Sequence, residues 1–343
     1  MVTRYPRPLV RGDRIGVTAP SAGVPAGLMP RLRFCVEQLR QKGYAVEVGR
    51  CMDGAGVVSA PARDRAAELT EMLVDPEIRA IVPPWGGDLA VEVLPYLDWD
   101  AIAEAEPTWL VGLSDISTLL LPLTTMTNTA SLHGQNLLDT PYRVPAEQRS
   151  WLDVVSAPSG APIKQSASPR HRSSGFDNWQ DDPTFTTFTL DEPGGWTLLD
   201  PDATELHVSG RLIGGCIETV SVLAGTRYGD LSAYAREQAP GGLILYLEAY
   251  GDGAIDIARH LWRMRLAGWF DSANAIMIGR SHAPDDPGFT QHDAIRSALA
   301  DLDLPVVLDV DCGHVPPHLV LVNGAVADLT VTATTHSVVQ RLI

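Results

Sequence analysis

Short apolar runs alternate with amphipathic stripes through the first 150 residues. Arg14-Ile-Gly-Val-Thr-Ala is a strand pattern ending at Pro20-Ser21, and from Met29 to Gln41 the residues Leu32, Cys35, Val36 and Leu39 fall on one helical face. Gly43 ends that helix, and Ala45-Val-Glu-Val is the next strand. A helix with Ala66, Leu69 and Leu73 on one side leads into the strand Ile78-Arg-Ala-Ile-Val-Pro-Pro. Gly86-Gly87 then opens an expected helix running through Leu97, and Thr108-Trp-Leu-Val-Gly is a short buried strand before Ser114. This βαβα alternation predicts a parallel sheet with helices on both faces and a ligand site at the carboxyl ends of its strands.

The pattern breaks between 150 and 206, where Ser, Pro, Asp and Thr dominate. Connections this long are usually functional or mobile. Its tryptophans, Trp151, Trp179 and Trp196, distinguish it from a disordered linker, which is poor in aromatics. Regular structure resumes near His207, with apolar strands at Leu243-Ile-Leu-Tyr-Leu-Glu, Ala275-Ile-Met-Ile-Gly and Val306-Val-Leu-Asp-Val. Helical stripes lie near 254–266 and 289–300, and the stretch from Val326 alternates as a half-exposed strand. The expected division is an N-terminal α/β domain over 1–150, a crossing with a tryptophan-bearing loop over 151–206, and a C-terminal domain over 207–343.

Composition narrows the function classes. At 343 residues the chain is long enough for two units, and 45% hydrophobic residues give a substantial core. A net charge of −16 argues against a nucleic-acid polymer as partner, because that affinity rests on phosphate neutralisation. No apolar run approaches a membrane span, so no membrane partner is expected. Cys35, Cys51, Cys216 and Cys312 are scattered without a CxxC pair, and the start carries no secretory pattern; both point to a reducing, cytoplasmic setting. The two lysines, Lys42 and Lys164, lie in neither a P-loop nor an apolar pocket pattern, which excludes Walker-type and Schiff-base chemistry.

The candidate chemistry begins at Val111-Gly-Leu-Ser-Asp-Ile-Ser. A strand running into Ser114 and then a helix either caps that helix or projects a nucleophile. A serine nucleophile needs a base and a group to orient it. Cys312-Gly-His314 follows a strand, placing His314 on a turn at a carboxyl end, and Glu248 closes a strand too apolar to hold an unpaired acid. Gly86 and Gly87 allow backbone N–H groups to approach a ligand, beside the Asp115 amide, as an oxyanion hole. His133 is a further residue that lines the cleft or sits buried against backbone. Asp309, Asp311, Cys312, His314 and His318 are crowded, but Pro316-Pro317 forbids a helix aligning the two histidines and no HExxH occurs. No metal and no cofactor are expected.

In order and spacing, these pieces resemble the LD-carboxypeptidase family of serine peptidases. The landmarks are Gly12-Asp-Arg-Ile-Gly-Val-Thr-Ala-Pro-Ser21, Gly86-Gly87, Gly112-Leu-Ser-Asp115, Leu132-His-Gly134, Gly210-Arg-Leu-Ile-Gly-Gly215, Leu247-Glu248, Gly313-His314 and Val322-Asn-Gly324. The resemblance implies a triad of Ser114 as nucleophile, His314 as base and Glu248 as orienting acid. It also implies a flavodoxin-like N-terminal domain, a swivelling β-rich C-terminal domain, and a homodimer. One branch of the family trims D-alanine from murein tetrapeptides. The microcin C immunity branch cleaves the amide joining an aminoacyl unit to a nucleotide, and carries a longer loop whose tryptophan stacks on the base. The long loop with Trp179 and Trp196 is similar to the second branch, which makes an aminoacyl-nucleotide the expected substrate, Trp179, Trp196, Cys216 and His133 its expected contacts, and Arg211 or Arg280 the expected anion binders. Three positions depart from the pattern: Trp85 where arginine precedes the glycines, Cys216 where asparagine follows Gly214-Gly215, and Gln135 where proline is common. A non-catalytic protein closing two lobes on a small ligand is the reading from another class.

Overall fold

A computed structural model describes residues 3–343. Its strands are β1 (Arg14–Val17), β2 (Ala45–Val48), β3 (Ile78–Ile81), β4 (Trp109–Gly112), β5 (Ser131–His133), β6 (Ile163–Ser166), β7 (Arg170–His171), β8 (Glu192–Pro193), β9 (Thr197–Leu198), β10 (Leu206–Cys216), β11 (Leu243–Glu248), β12 (Ala273–Gly279), β13 (Val306–Val310), β14 (Leu321–Asn323), β15 (Val326–Val331) and β16 (His336–Arg341). The first sheet runs β2-β1-β3-β4-β5, all parallel, with β14 added antiparallel to β5. The 2-1-3-4-5 order is the flavodoxin-like one, and its order reverses between β1 and β3, where such sheets bind ligands.

The second sheet has eight strands in the order β6-β16-β15-β10-β11-β12-β13-β9. Strands β10 to β13 pair in parallel and form its buried centre; antiparallel neighbours cover both sides. Every residue of β11 is buried, as its unbroken apolar run requires. Two segments cross the boundaries that composition suggests: β6 pairs with β16, and β14 joins the first sheet.

The helix Ser117–Thr127 carries Leu119, Leu120, Leu121 and Leu123, all buried. It is apolar nearly all round because it lies inside one core shared with Ile213 of β10 and Leu245 of β11. Seating this helix between the units brings the carboxyl ends of β4, β10 and β11 to one place.

Most elements fall where the hydrophobic pattern puts them. The exception is the helix expected from Gly86 to Leu97. Asp88 and Leu89 after the glycines lie in no helix, and only a 3-10 stretch, Ala90–Tyr96, follows, with Pro95 inside it. Proline removes a donor and clashes with the preceding turn, so a regular helix cannot form there.

Candidate active site

Ser114 has φ of 63°, a left-handed conformation rare for any residue but glycine, while Leu113 before it is extended. Holding a serine there costs roughly 1–3 kcal/mol and persists only where packing enforces it. The sharp turn from β4 into the following 3-10 helix stands the hydroxyl up at the carboxyl end of the sheet. A Cβ at Gly86 would lie 2.9 Å from Ser114 Oγ and 3.3 Å from the Asp115 nitrogen, so only glycine lets this backbone approach. The buried Asp115 carboxylate fixes the arrangement, accepting from Ser21 Oγ at 2.5 Å, the Ala90 nitrogen at 2.7 Å and Thr118 Oγ1 at 3.2 Å. Burial pushes its pKa up against those bonds. The loops after β1 and β3 are thereby pinned to the Ser114 turn.

The second sheet supplies the other groups. Glu248 ends β11 beside Cys216 at the end of β10, and is fully buried. Its Oε2 lies 2.7 Å from His314 Nδ1. Burial alone raises the pKa of Glu248, but the charge and hydrogen bond of His314, with His133 close by, overrule it and hold the carboxyl well below the ordinary glutamate range. For His314, burial opposes the charged form; Glu248 outweighs it, with Glu218 and Asp139 adding, and leaves the imidazole above its ordinary value. Gly313, with φ of 99°, must be glycine, because a Cβ would lie 2.4 Å from Glu248 Oε2. The loop carrying His314 is anchored by buried Asp311, which accepts from Arg280 Nη1 at 2.7 Å, the Ser168 nitrogen at 2.9 Å and Trp196 Nε1 at 3.1 Å.

A cavity of 1170 Å³ lies between the sheets, and Ser114, Asp115, Gly86, Gly87, Cys216 and His314 all border it. No hydrogen bond joins Ser114 to His314 among the described residues; such contacts are commonly long without substrate and tighten when it binds. Trp179 is half-buried, packs on the first sheet's core and borders the same cavity. The Tyr250 ring lies 4.6 Å from that of His314 and stacks with Phe176 at 6.5 Å.

Four expected contacts lie elsewhere. Trp196 is not a substrate contact: it is 3% exposed, in the core of the second sheet, with its indole N–H held by Asp311. His133 does not border the cavity either; it sits behind Glu248, with Nε2 3.7 Å from Glu248 Oε1. Arg280 is taken up by Asp311, and Arg211 donates to Thr3, Tyr5 and the Gly324 carbonyl. Instead Asp139, Glu218 and Asp252 border the cavity, and no lysine or arginine does among the described residues. Tyr250, Phe176 and Glu218 escape sequence reading because each lies outside a motif; only the adjacency of Tyr250 to Glu248 offered a hint.

Ligand-type atoms of Cys216, Glu248 and His314 lie within 4.8 Å of one another. The Cys216 thiol is pushed well up by burial and lies 3.2 Å from Glu218 Oε2, while Glu248 and His314 already bind each other. The Glu248–His314 pair, already joined by a hydrogen bond, suits proton relay.

Residues 15–134 match the LD-carboxypeptidase N-terminal domain and residues 209–329 its C-terminal domain. The chain belongs to the LD-carboxypeptidase family, whose members are serine-type peptidases. It is similar to the microcin C7 self-immunity protein MccF of Escherichia coli, 27% identical over 326 residues, 92% of this chain and 90% of that one. It is also 26% identical over 270 residues to the murein tetrapeptide carboxypeptidase of Pseudomonas aeruginosa, covering 78% and 74% of the two chains. A structure of MccF in complex with glutamyl sulfamoyl guanosine superposes over 98% of both chains with a TM-score of 0.81 and 22% identity, so the fold is shared. No helix among the described residues is long and apolar enough to cross a membrane.

Proposed function

We propose that this protein hydrolyses the amide of aminoacyl- or peptidyl-nucleotides through a Ser114–His314–Glu248 triad. The observation that carries the reading is the sharing of one cavity by Ser114, His314 and the Trp179 indole. An aromatic face suits a nucleobase, and stacking contributes about 1–3 kcal/mol per base. The likeness to MccF, solved with aminoacyl sulfamoyl nucleotides, supports the same substrate class.

In this mechanism His314 Nε2 takes the Ser114 proton as the oxygen bonds to the substrate carbonyl carbon. The N–H groups of Asp115 and of Gly86 or Gly87 receive the developing oxyanion. The C–N bond breaks, His314 returns the proton to the leaving nitrogen, and water, deprotonated by the same imidazole, releases the acyl group from Ser114. Glu248 holds the imidazole by Nδ1 and stabilises its cation.

The carboxylates of Asp139, Glu218 and Asp252 at the cavity suit the free ammonium of an aminoacyl unit. That feature equally favours a murein tetrapeptide with a free amino group, the second reading. A test is to incubate the protein with an aminoacyl sulfamoyl adenosine or a murein tetrapeptide and follow amino acid release. Release from the nucleotide, lost in Ser114→Ala, supports the first reading; release of D-alanine from the peptide alone replaces it with the second. As a homodimer, the assembly implied by the family resemblance, the protein would scatter light at twice its 37.0 kDa mass.

A further inference from the structure

His133 and Glu248 are buried side by side with polar atoms unpaired. His133 is 1% exposed and Glu248 fully buried, and neither ring nitrogen of His133 nor Glu248 Oε1 has a hydrogen-bond partner among the described residues. Nε2 and Oε1 are 3.7 Å apart, so closing to a normal bond takes a shift of about 0.8 Å. Buried polar atoms without an alternative partner are driven to pair.

The strands explain why these two meet. Ser131 and His133 are two apart on β5, and Tyr246 and Glu248 two apart on β11, so each pair shares a face. Asn323 on β14 links the first rung: its Nδ2 donates to Ser131 Oγ at 3.1 Å, while its Oδ1 accepts from Tyr246 Oη at 2.6 Å and the Gly214 nitrogen at 3.1 Å. The second rung is His133 against Glu248, its ring 5.2 Å from that of Tyr246. Strand β5 neighbours β4, which delivers Ser114; β11 carries the acid that holds His314. The ladder thus ties the sheet of the serine to the sheet of the acid and base.

We propose that His133 is a positioning residue that donates Nε2–H to Glu248 Oε1, fixing the carboxylate so that Oε2 faces His314 Nδ1. The proposal rests on the triad reading above. Without this donor the carboxylate is free to rotate in its pocket, and its hold on His314 weakens. Glu218, Asp139 and His318 also face His314, and Cys216, Cys312 and Tyr246 face Glu248; the last three are pushed up by burial and stay uncharged near neutral pH.

The experiment measures fluorophosphonate labelling of Ser114 against pH in wild type, His133→Phe and His133→Gln, with nitrogen-15 spectra of the wild-type histidines. His133→Phe keeps ring bulk and loses the donor; it is expected to label about tenfold slower or worse, with its pH midpoint moved down. His133→Gln keeps a donor and is expected to recover most of the rate. A folded His133→Phe with wild-type rate and midpoint overturns the proposal, as does an equal loss in both variants with an unmoved midpoint. Should His133→Phe not fold, the wild-type spectrum decides: Nε2 carrying a hydrogen-bonded proton supports the role, and a bare Nε2 overturns it. Failure of wild type to label counts against the triad, and the spectrum still judges His133.

Discussion

His314 Nδ1 lies 2.7 Å from Glu248 Oε2, joining residues 66 apart in the chain, one at the carboxyl end of β11 and the other on the loop after β13, two strands of one sheet with β12 between them. A base must be neutral to take a proton, and this contact stabilises its cation. Activity is therefore expected to rise with pH through a midpoint above about 6.5, the ordinary histidine value. Glu248→Gln removes the stabilising charge, so kcat should fall by on the order of 10²–10⁴ and the midpoint should move down. A pH profile of kcat/KM for both proteins checks this.

The same pair links stability to pH. The folded carboxyl of Glu248 sits below its ordinary value, so its contribution is present above about pH 4.3 and is lost as pH falls through the lowered folded value. The folded imidazole of His314 sits above its ordinary value, so its contribution is present below about pH 6.5 and is lost as pH rises through the raised value. Both hold together between about pH 4.3 and 6.5. Against Glu248→Gln, wild type should show its largest advantage in denaturant midpoint inside that window and a shrinking one above it.

Gly86→Ala should cripple turnover without unfolding the protein. The added methyl would lie 2.9 Å from Ser114 Oγ, at the place where an oxyanion donor is needed. Displacing one such donor from the reacting oxygen is expected to cost up to roughly 10²–10³ in kcat, the range for removing a donor outright. Steady-state kinetics and a melting curve on the same preparation separate the two effects.

The loop tryptophans should behave oppositely. Trp179→Ala is expected to raise KM for an aminoacyl nucleotide by about five- to a hundredfold, since stacking is lost, with kcat little changed. Trp196→Ala opens the core of the second sheet and strips Asp311 of a donor, so it should lose about 3–5 kcal/mol of stability. Chemical denaturation and saturation kinetics on both variants check the contrast.

The cavity charge predicts acyl selectivity. With Asp139, Glu218 and Asp252 bordering it and no basic residue among the described ones, aspartyl and glutamyl substrates should show kcat/KM about tenfold below lysyl or alanyl ones. Competition assays at low salt, repeated with Glu218→Gln, test this.

Much of the candidate site was legible in the sequence. Glycine spacing marks where backbone must approach closely, and a lone glutamate or serine closing an apolar strand marks a carboxyl end, so Ser114, Glu248, His314 and the Gly86-Gly87 turn stand out individually. The helix expected after Gly87 failed on Pro95, whose missing N–H outweighs the hydrophobic spacing.

Local pattern determined the elements, their order and the residues that can do chemistry, because strand and helix periodicities and glycine requirements act over a few positions. Only tertiary structure decided partnership. Trp179 and Trp196 share a loop, yet one borders the cavity and the other plugs a core, and His133 stands behind the acid rather than beside a ligand. Those outcomes depend on how two sheets meet across a shared helix and on β14 crossing between them, contacts between residues too distant in sequence for any local period to encode.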